Sequence, residues 1–193
     1  DRGHQVVLFE ATSRLGGQLC LAKKALWRRD IQGIIDWREK ELDHLGVDCR
    51  LNTYAEVENI LAEQPNVVIV ATGGIPDFGQ IREVNLCFNP WDAMTSNAKL
   101  GDDVLVYDGT GRHVAPTVAD FLKREGKKIQ YFSVDDVIAK ELSYGDRVVW
   151  KKHFAEEGIS FFGDHTLVSV CKLGNSLIAK LRCDLTQKIK EIT

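Results

Sequence analysis

Several features that mark particular protein classes are scarce or missing in this 193-residue sequence. It has only four prolines and one methionine and contains no low-complexity tract, while 44% of its residues are hydrophobic. This composition excludes a disordered or collagen-like chain. Apolar runs such as residues 67–71 are far shorter than the ~20 residues that span a bilayer, so we expect no membrane segment. The formal net charge of −3 argues against binding to nucleic acid.

Closely spaced cysteines are also missing. Structural zinc and iron–sulfur sites need neighbouring thiolates, and secreted scaffolds pair theirs. We therefore expect reduced thiols, no metal bound by this chain and a cytoplasmic protein. The first residues form no signal peptide and include no initiator methionine, so we expect the chain to be part of a longer protein. The five cysteines, none in a C-x-x-C pair, are Cys20, Cys49, Cys87, Cys171 and Cys183.

The first half of the sequence predicts alternating strands and helices. Apolar runs rich in β-branched residues indicate strands, and apolar residues at helical spacing indicate helices. Asp30 is expected to cap the first helix and Gly46 to end it. The predicted elements are a strand at 5–10, a helix at 30–45, a strand at 47–52, a helix at 55–64 and a strand at 67–71.

A second β-α-β pattern begins near residue 104, and a different kind of tail follows it. The pattern consists of strands at 104–107 and 129–132 and helices at 115–125 and 146–157. The tail alternates as antiparallel strands do, at 159–162, 166–172, 177–183 and 187–192, with a turn at 174–176. We thus expect an α/β chain with two lobes, residues 1–80 and 102–193, joined by a connection at 81–101.

Three short motifs in the first lobe are candidates for contact with a nucleotide. Glu10 ends the first strand, where dinucleotide-binding folds hydrogen-bond an adenosine ribose; the alternative is a solvated carboxylate. Gly16 and Gly17 let backbone amides approach a phosphate, or simply form a tight turn. Thr72 and Gly73 end the last strand beside a bound cofactor, or only lead the chain into a loop.

The second lobe has one comparable motif, a strand followed by residues 109–111, Gly-Thr-Gly. As a G-x-G-x-x-G loop it carries Val114 in place of the third glycine, which normally permits close helix–strand packing. A plain strand-to-helix turn is the alternative. If this lobe takes a nicotinamide dinucleotide, Ser133, Asp135 and Asp136 favour NADH, because carboxylates repel the 2′-phosphate of NADPH.

The histidines and serines form no set that indicates catalysis. No serine lies in a nucleophile elbow, and the sequence places no histidine in a recognisable Ser-His-Asp set. We expect no catalytic residue in this chain. Surface or capping positions are expected for His4, His44, His153 and His165.

In combination, the motifs resemble a known family. Residues 2–76, with Glu10, Leu-Gly-Gly-Gln-Leu at 15–19 and Val-Ile-Val-Ala-Thr-Gly-Gly at 68–74, resemble the FAD-binding lobe of two-dinucleotide flavoprotein oxidoreductases. Residues 104–122, with Tyr-Asp-Gly-Thr-Gly-Arg-His and then Ala-Asp-Phe-Leu, look like the C-terminal half of iron–sulfur flavoenzymes. These are trimethylamine and dimethylamine dehydrogenases, 2,4-dienoyl-CoA reductases and N-methylproline demethylase-like proteins. The Asp-Gly-Thr-Gly form resembles the amine dehydrogenase and demethylase branch.

The resemblance implies two Rossmann-like three-layer lobes, the first lacking its initial strand and G-x-G-x-x-G loop, the second carrying an antiparallel β-meander. It implies FAD or ADP on the first lobe and NAD(H) or no cofactor on the second. It also implies a homo-oligomer whose missing N-terminal barrel domain holds FMN and a 4Fe-4S cluster. The implied cofactor-binding residues are Glu10, Ala11, Arg14, Gly16, Gly17, Gln18, Leu19, Ala71, Thr72, Gly73, Gly109 and Gly111.

The function implied is that of a dinucleotide-binding region within a flavin-dependent oxidoreductase. It binds FAD or ADP and relays electrons between NAD(P)H and the FMN/4Fe-4S half. The substrate is expected to be an amine, an N-methyl amino acid or an enoyl compound, and this region alone is expected to be inactive. The alternative is a non-redox nucleotide-binding or structural module that holds ADP at most.

Overall fold

The structure is a computed structural model that describes residues 2–79, 81–95 and 98–193. The chain divides into two compact units, Asp1–Ile75 and Pro76–Thr193. Residues 81–101, which the sequence predicts as a separate connection, fall within the second unit in this division. The fold is α/β, with two parallel sheets and one antiparallel sheet of three strands.

The first unit is built on a pair of parallel strands connected through a helix. β1 (Val7–Phe9) pairs with β2 (Asp48–Arg50), so that Leu8 lies opposite Cys49. The main helix packs inward through Ile35, which is buried. The helices of this unit are α1 (Leu19–Ala22), α2 (Ile31–His44) and α3 (Val57–Ala62), with a 3-10 turn at Leu26–Arg28.

The sequence predicts the residues at which α2 begins and ends. Gly46 has a φ of +65°, the left-handed conformation in which glycine commonly ends a helix, and this prediction is confirmed. Asp30 is the N-cap residue of α2, as predicted, but its side chain forms no capping hydrogen bond. The chain enters the helix from a preceding turn, and the Arg29 carbonyl therefore accepts the N–H of Gln32 at 3.1 Å.

The run at residues 67–71 is not a strand in the structure, contrary to the prediction. Val67, Ile69 and Val70 are 76%, 84% and 79% exposed. A β-strand forms only where a second strand accepts and donates its backbone hydrogen bonds. None of the strands in the described residues pairs with this run, and its apolar side chains therefore lie in solvent.

The first elements of the second unit are α4 (Pro90–Ala93), β3 (Asp103–Asp108), α5 (Val114–Arg124), β4 (Lys128–Ser133), α6 (Tyr144–Glu157) and β5 (Ser160–Phe162). Their strands form a parallel sheet in the order β3-β4-β5. The prediction of an antiparallel strand at 159–162 is wrong, because helix α6 carries the chain back across the sheet and β5 joins β4 in parallel. Tyr131 lies opposite Phe161 in this pairing.

The tail forms an antiparallel sheet of β6 (His165–Leu173), β7 (Ser176–Cys183) and β8 (Ile189–Ile192), as its alternation predicts. Gly174, with a φ of +59°, lies in the turn between β6 and β7. The apolar core of this region consists of Phe132, Leu167, Val170, Ala179 and Leu181. Ile81, Leu86 and Cys87 of the predicted connection pack against the same core.

Within the described ranges, no helix combines the length and the apolar character needed to cross a membrane. The same residues contain no group of three or more His, Cys, Asp or Glu side chains placed to hold a metal ion. All five cysteines are free thiols.

Candidate functional site

The turn that follows β1 fixes the carboxylate of Glu10. The backbone N–H and the hydroxyl of Thr12 both lie 2.8 Å from Glu10 Oε1. The same hydroxyl lies 2.8 Å from Arg14 O, and its single proton serves one of these acceptors at a time. No hydrogen bond from the described residues reaches Glu10 Oε2. One oxygen is thus held by the protein, while the other has no hydrogen-bond partner among the described residues.

The two glycines of the predicted phosphate-binding loop have different reasons to be glycine. A Cβ on Gly16 lies 2.9 Å from Cys20 Sγ and 3.0 Å from Ile35 Cδ1, so the loop is packed against α1 and α2 here. A Cβ on Gly17 meets nothing within 4 Å. Both residues have positive φ, +107° and +47°. Gly16 is therefore required by packing, and only Gly17 presents open backbone.

Gln18 brings two of the predicted motifs together. Its Nε2 donates to the carbonyl of Gly74 at 3.1 Å, across 56 positions of sequence. Gly73, with a φ of +75°, lies beside the same amide. A Cβ added to Gly73 would lie 3.7 Å from Gln18 Nε2. The loop at 16–18 and the segment at 71–74 are therefore neighbours.

The other predicted site residues of the first unit lie exposed. They flank the Glu10 turn, the glycine loop and the 71–74 segment, and the structure assigns no contact that tests their roles. These roles stay predictions for Ala11, Arg14, Leu19, Ala71 and Thr72.

In the second unit, a buried carboxylate closes the turn after β3. Asp108 is 1% exposed, and its Oδ1 accepts the N–H of Thr110 at 2.9 Å and that of Gly111 at 3.0 Å. The Thr110 hydroxyl donates to the same oxygen at 3.0 Å. The Tyr131 hydroxyl donates to Oδ2 at 2.6 Å. We call residues 108–111 the Asp108 turn.

The hydroxyl of Tyr131 is buried together with its carboxylate partner. Burial raises the pKa of Tyr131 well above its ordinary value, and the negative charge of Asp108 raises this pKa further. The tyrosine is therefore a neutral donor. Sequence reasoning missed this pair; the available signal was an acidic residue at the end of a strand otherwise made of apolar residues.

The segment at 135–141 covers Gly111 of the Asp108 turn. A Cβ on Gly111 lies 2.7 Å from Asp135 Oδ2 and 3.3 Å from both Cγ and N of Glu141, whose N–H donates to Gly111 O at 2.9 Å. Burial raises the pKa of Asp135, Lys140 opposes this shift, and the charges of Asp108, Glu141 and Asp136 reinforce it. The surroundings of this turn are therefore rich in carboxylates.

The structure places Ser133 and Val114, two residues that the sequence singles out in this unit, as follows. Ser133, expected near a ribose, is 1% exposed; its hydroxyl donates to Asp108 O at 3.2 Å and accepts the N–H of Asp135 at 3.1 Å. Val114, expected to lie where a helix approaches a strand, is 47% exposed. Helix α5 instead presents Ala115 and Ala119, both buried, so the valine does not keep the helix from packing.

His153 is not a surface residue, contrary to the expectation. Its Nε2 lies 2.5 Å from Oδ1 of Asp120, which is fully buried on the neighbouring helix α5. Arg124 donates to the other oxygen of Asp120 at 2.9 Å. The Nε1 of Trp150 donates to His113 Nδ1 at 3.1 Å. The His153–Asp120 and Trp150–His113 contacts tie α6 to α5 and to the residue that precedes it.

The fold occurs in a solved reductase. No protein-family model matches the chain. The structure of 2-naphthoyl-CoA reductase superimposes with a TM-score of 0.87 at 24% identity, covering 100% of this chain and 28% of that chain. A match at this identity establishes the fold: the two units have the α/β architecture of one region of a reductase.

Curated relatives are similar over nearly the whole chain. A probable N-methylproline demethylase of Rhizobium meliloti is 37% identical over 185 residues, 95% of this chain and 27% of the relative. A multifunctional alkene reductase/demethylase of Caballeronia cordobensis is 38% identical over 175 residues, 90% of this chain and 26% of the relative. The chain thus spans about a quarter of these relatives. The resemblance to the demethylase and reductase flavoenzymes is confirmed, and the chain is related to oxidoreductases.

Proposed function

We propose that this chain is the C-terminal nucleotide-binding region of a flavin-dependent oxidoreductase, and that its first unit holds the ADP portion of FAD, or ADP itself. The observation that carries the proposal is the hydrogen bond from Gln18 to the Gly74 carbonyl. It joins the Gly-Gly loop to the segment at 71–74, two motifs that the family resemblance assigns to one cofactor.

The residues of the first unit fit an adenosine diphosphate. Glu10 has one carboxylate oxygen held by Thr12 and one left to accept from the ribose hydroxyls. Gly17 presents backbone that no Cβ shields, which suits the approach of a pyrophosphate. Gln18 and Gly73 are neighbours beside this loop, and exposed Thr72 is proposed to complete the same side. When bound, the flavin supplies the redox chemistry, while these residues bind and orient it.

The exposed run at 67–70 supports the view that this unit is completed by further chain. Four consecutive apolar side chains in solvent are a patch that a folded protein normally covers. A preceding strand with the G-x-G-x-x-G loop, pairing with this run, completes a Rossmann-like three-layer lobe. The proposal therefore includes such a β-α unit before the Glu10 strand.

The remainder of the protein enters the proposal through its relatives. The preceding part is proposed to be an FMN-bearing barrel with a 4Fe-4S cluster that acts on an amine, an N-methyl amino acid or an enoyl compound. The whole protein is proposed to be a cytoplasmic homo-oligomer whose electron partner is a nicotinamide coenzyme. The names of the demethylase and reductase relatives support these substrate classes.

One observation favours a second candidate function, a non-redox module that holds ADP at most. The Asp108 turn is closed by its own carboxylate, so the second unit offers little to a second nucleotide. The flavin absorbance of the full-length protein separates the two candidates. We expect bound flavin that is reduced when substrate is added; a colourless protein that binds only ADP supports the module instead.

The test of the first unit is the substitution Glu10→Ala in the full-length protein. Loss of a charged hydrogen bond to the ribose costs about 1.5–3 kcal/mol, or roughly 10–100-fold in affinity. Calorimetric titration with ADP, and flavin content after dialysis, measure the effect. Glu58→Ala, which removes an exposed carboxylate from α3, is the matched control. Equal ADP affinity in the two variants contradicts the proposal.

A further inference from the structure

We propose that the second unit does not bind a nicotinamide dinucleotide at its Gly109–Gly111 turn, because the Asp108 carboxylate already takes the donors that a pyrophosphate requires. The proposal goes beyond the function proposed for the first unit and does not depend on it. It concerns a position for which the family resemblance implies either NAD(H) or no cofactor.

The first argument is the use of the backbone donors. A dinucleotide-binding turn binds the pyrophosphate through N–H groups that point out of the loop at the helix start. Here the N–H groups of Thr110 and Gly111 both point at Asp108 Oδ1, at 2.9 and 3.0 Å. The Thr110 hydroxyl donates to the same atom. The anion of this turn is therefore supplied by the protein.

The second argument is that this internal anion is not free to leave. Asp108 and Tyr131 are 1% and 0% exposed, and Tyr131 donates to Asp108 Oδ2 at 2.6 Å. A buried carboxylate without its donors is costly, so a ligand gains little by taking them. Releasing Thr110 and Gly111 leaves the Asp108 charge without most of its partners.

The third argument is the occupied and negatively charged space above Gly111. Asp135 Oδ2 and Glu141 lie within 2.7–3.3 Å of where a Cβ would stand, so the glycine is covered by protein rather than open to a ligand. Asp136 lies on the same segment, and Lys140 pairs with it at 3.0 Å. A pyrophosphate that approaches this turn faces the carboxylates of the 135–141 segment, and the lysine of that segment, Lys140, is already paired.

The last argument concerns the ribose. The hydroxyl of Ser133 is used within the fold, between Asp108 O and the N–H of Asp135. The carboxylate of Asp136 is paired with Lys140. Two of the three groups that favoured NADH on the sequence, the Ser133 hydroxyl and the Asp136 carboxylate, are thus engaged with protein. A nicotinamide coenzyme that reduces the full-length protein therefore binds elsewhere.

Hydrogen–deuterium exchange of the full-length protein tests the proposal. Exchange is measured without nucleotide, with NADH and with NADPH, each in large excess. We expect peptides covering residues 108–114 and 133–141 to exchange identically in all three samples. Slower exchange of these peptides with either coenzyme overturns the proposal. Failure of the proposed ADP site is seen separately, in peptides covering residues 10–19 when ADP is added.

A pair of substitutions gives an independent readout. Arg112 is exposed beside Gly111, and a dinucleotide bound at this turn gains a charge-assisted contact from it. We expect Arg112→Ala to leave the Kd for NADH and for NADPH unchanged, as does Lys151→Ala on the exposed side of α6. A rise of roughly 10-fold or more in Arg112→Ala alone overturns the proposal, since that is the size of one lost charged contact.

Discussion

Tyr131, within strand β4, donates a 2.6 Å hydrogen bond to Asp108, the last residue of the neighbouring strand β3. Both side chains are buried, and the carboxylate uses its second oxygen to hold the N–H groups of Thr110 and Gly111. One charged group therefore connects the sheet to the turn that starts α5. A charged acceptor makes each of these bonds stronger than one between neutral groups.

The substitution Tyr131→Phe tests the contribution of this hydrogen bond to stability. Phenylalanine keeps the edge-to-face contact with Phe154, whose ring centroid lies 5.1 Å away, but leaves Asp108 Oδ2 without its donor. We expect the free energy of unfolding to fall by about 1.5–3 kcal/mol, as for other bonds to charged groups. Urea denaturation measures the change. Tyr54→Phe, at a residue 79% exposed, is the control. Equal stability of the two variants contradicts the assignment.

Asp135 and Asp136 are neighbours whose pKa values shift in opposite directions. Substitution of each by asparagine is therefore expected to change the Tm in opposite directions. Burial raises the pKa of Asp135 above 3.8, so its favourable contribution to folding is present at low pH and is lost as pH rises through the raised pKa. At neutral pH its charge is a cost. We therefore expect Asp135→Asn to raise the Tm at pH 7, with the difference shrinking in acid.

Asp136→Asn is the matched variant with the opposite sign. The hydrogen bond and charge of Lys140 lower the pKa of Asp136, so its contribution is present above pH 3.8 and is lost as pH falls. We expect this variant to lower the Tm at neutral pH and to converge with the unsubstituted protein in acid. Thermal melts from pH 3 to pH 7 measure both. Tm shifts of the same sign at pH 7 contradict the carboxylate arrangement around Gly111.

Local features of the fold could be predicted from the sequence, and long-range ones could not. Gly46 ends α2 as predicted, because a helix end with a left-handed glycine depends only on a few neighbouring residues. The run at 67–71 has the composition of a strand, but pairing depends on a partner strand that composition does not reveal. The direction of β5 is likewise set by the helix before it.

The candidate site shows the same division. Glu10 and the Gly-Gly loop were visible as short motifs. The Asp108–Tyr131 and Asp120–His153 contacts join residues 23 and 33 positions apart, and no local pattern indicates that such side chains meet. A turn that reads as a phosphate-binding loop was therefore predicted without the carboxylate that fills it.

The two loop glycines of the first unit predict different outcomes on substitution by alanine. Gly16→Ala places a Cβ 3.0 Å from Ile35 Cδ1 at a φ of +107°, so we expect a loss of stability of about 1–3 kcal/mol from overpacking and backbone strain. Gly17→Ala meets no atom within 4 Å, at a φ of +47°. We expect a smaller loss of stability there, but weaker ADP binding. Chemical denaturation and calorimetric titration of both full-length variants separate packing from binding. If Gly17→Ala destabilises the protein more than Gly16→Ala does, the assignment of a packing role to Gly16 is contradicted.

Thr12 is the residue that orients Glu10, and its replacement should act on nucleotide affinity through that carboxylate. Thr12→Val keeps the backbone N–H at 2.8 Å from Glu10 Oε1 but removes the hydroxyl donor. A neutral side-chain donor contributes about 0.5–1.5 kcal/mol, so we expect ADP to bind roughly 2–10-fold more weakly. Thr12→Ser retains the hydroxyl and should bind ADP as the unsubstituted protein does. Because the serine variant lacks only the γ-methyl group, it separates the hydrogen bond from the methyl contact. Weaker binding in the serine variant alone shows that the methyl group matters instead of the hydroxyl, and unchanged affinity in both variants removes the Thr12 side chain from the site.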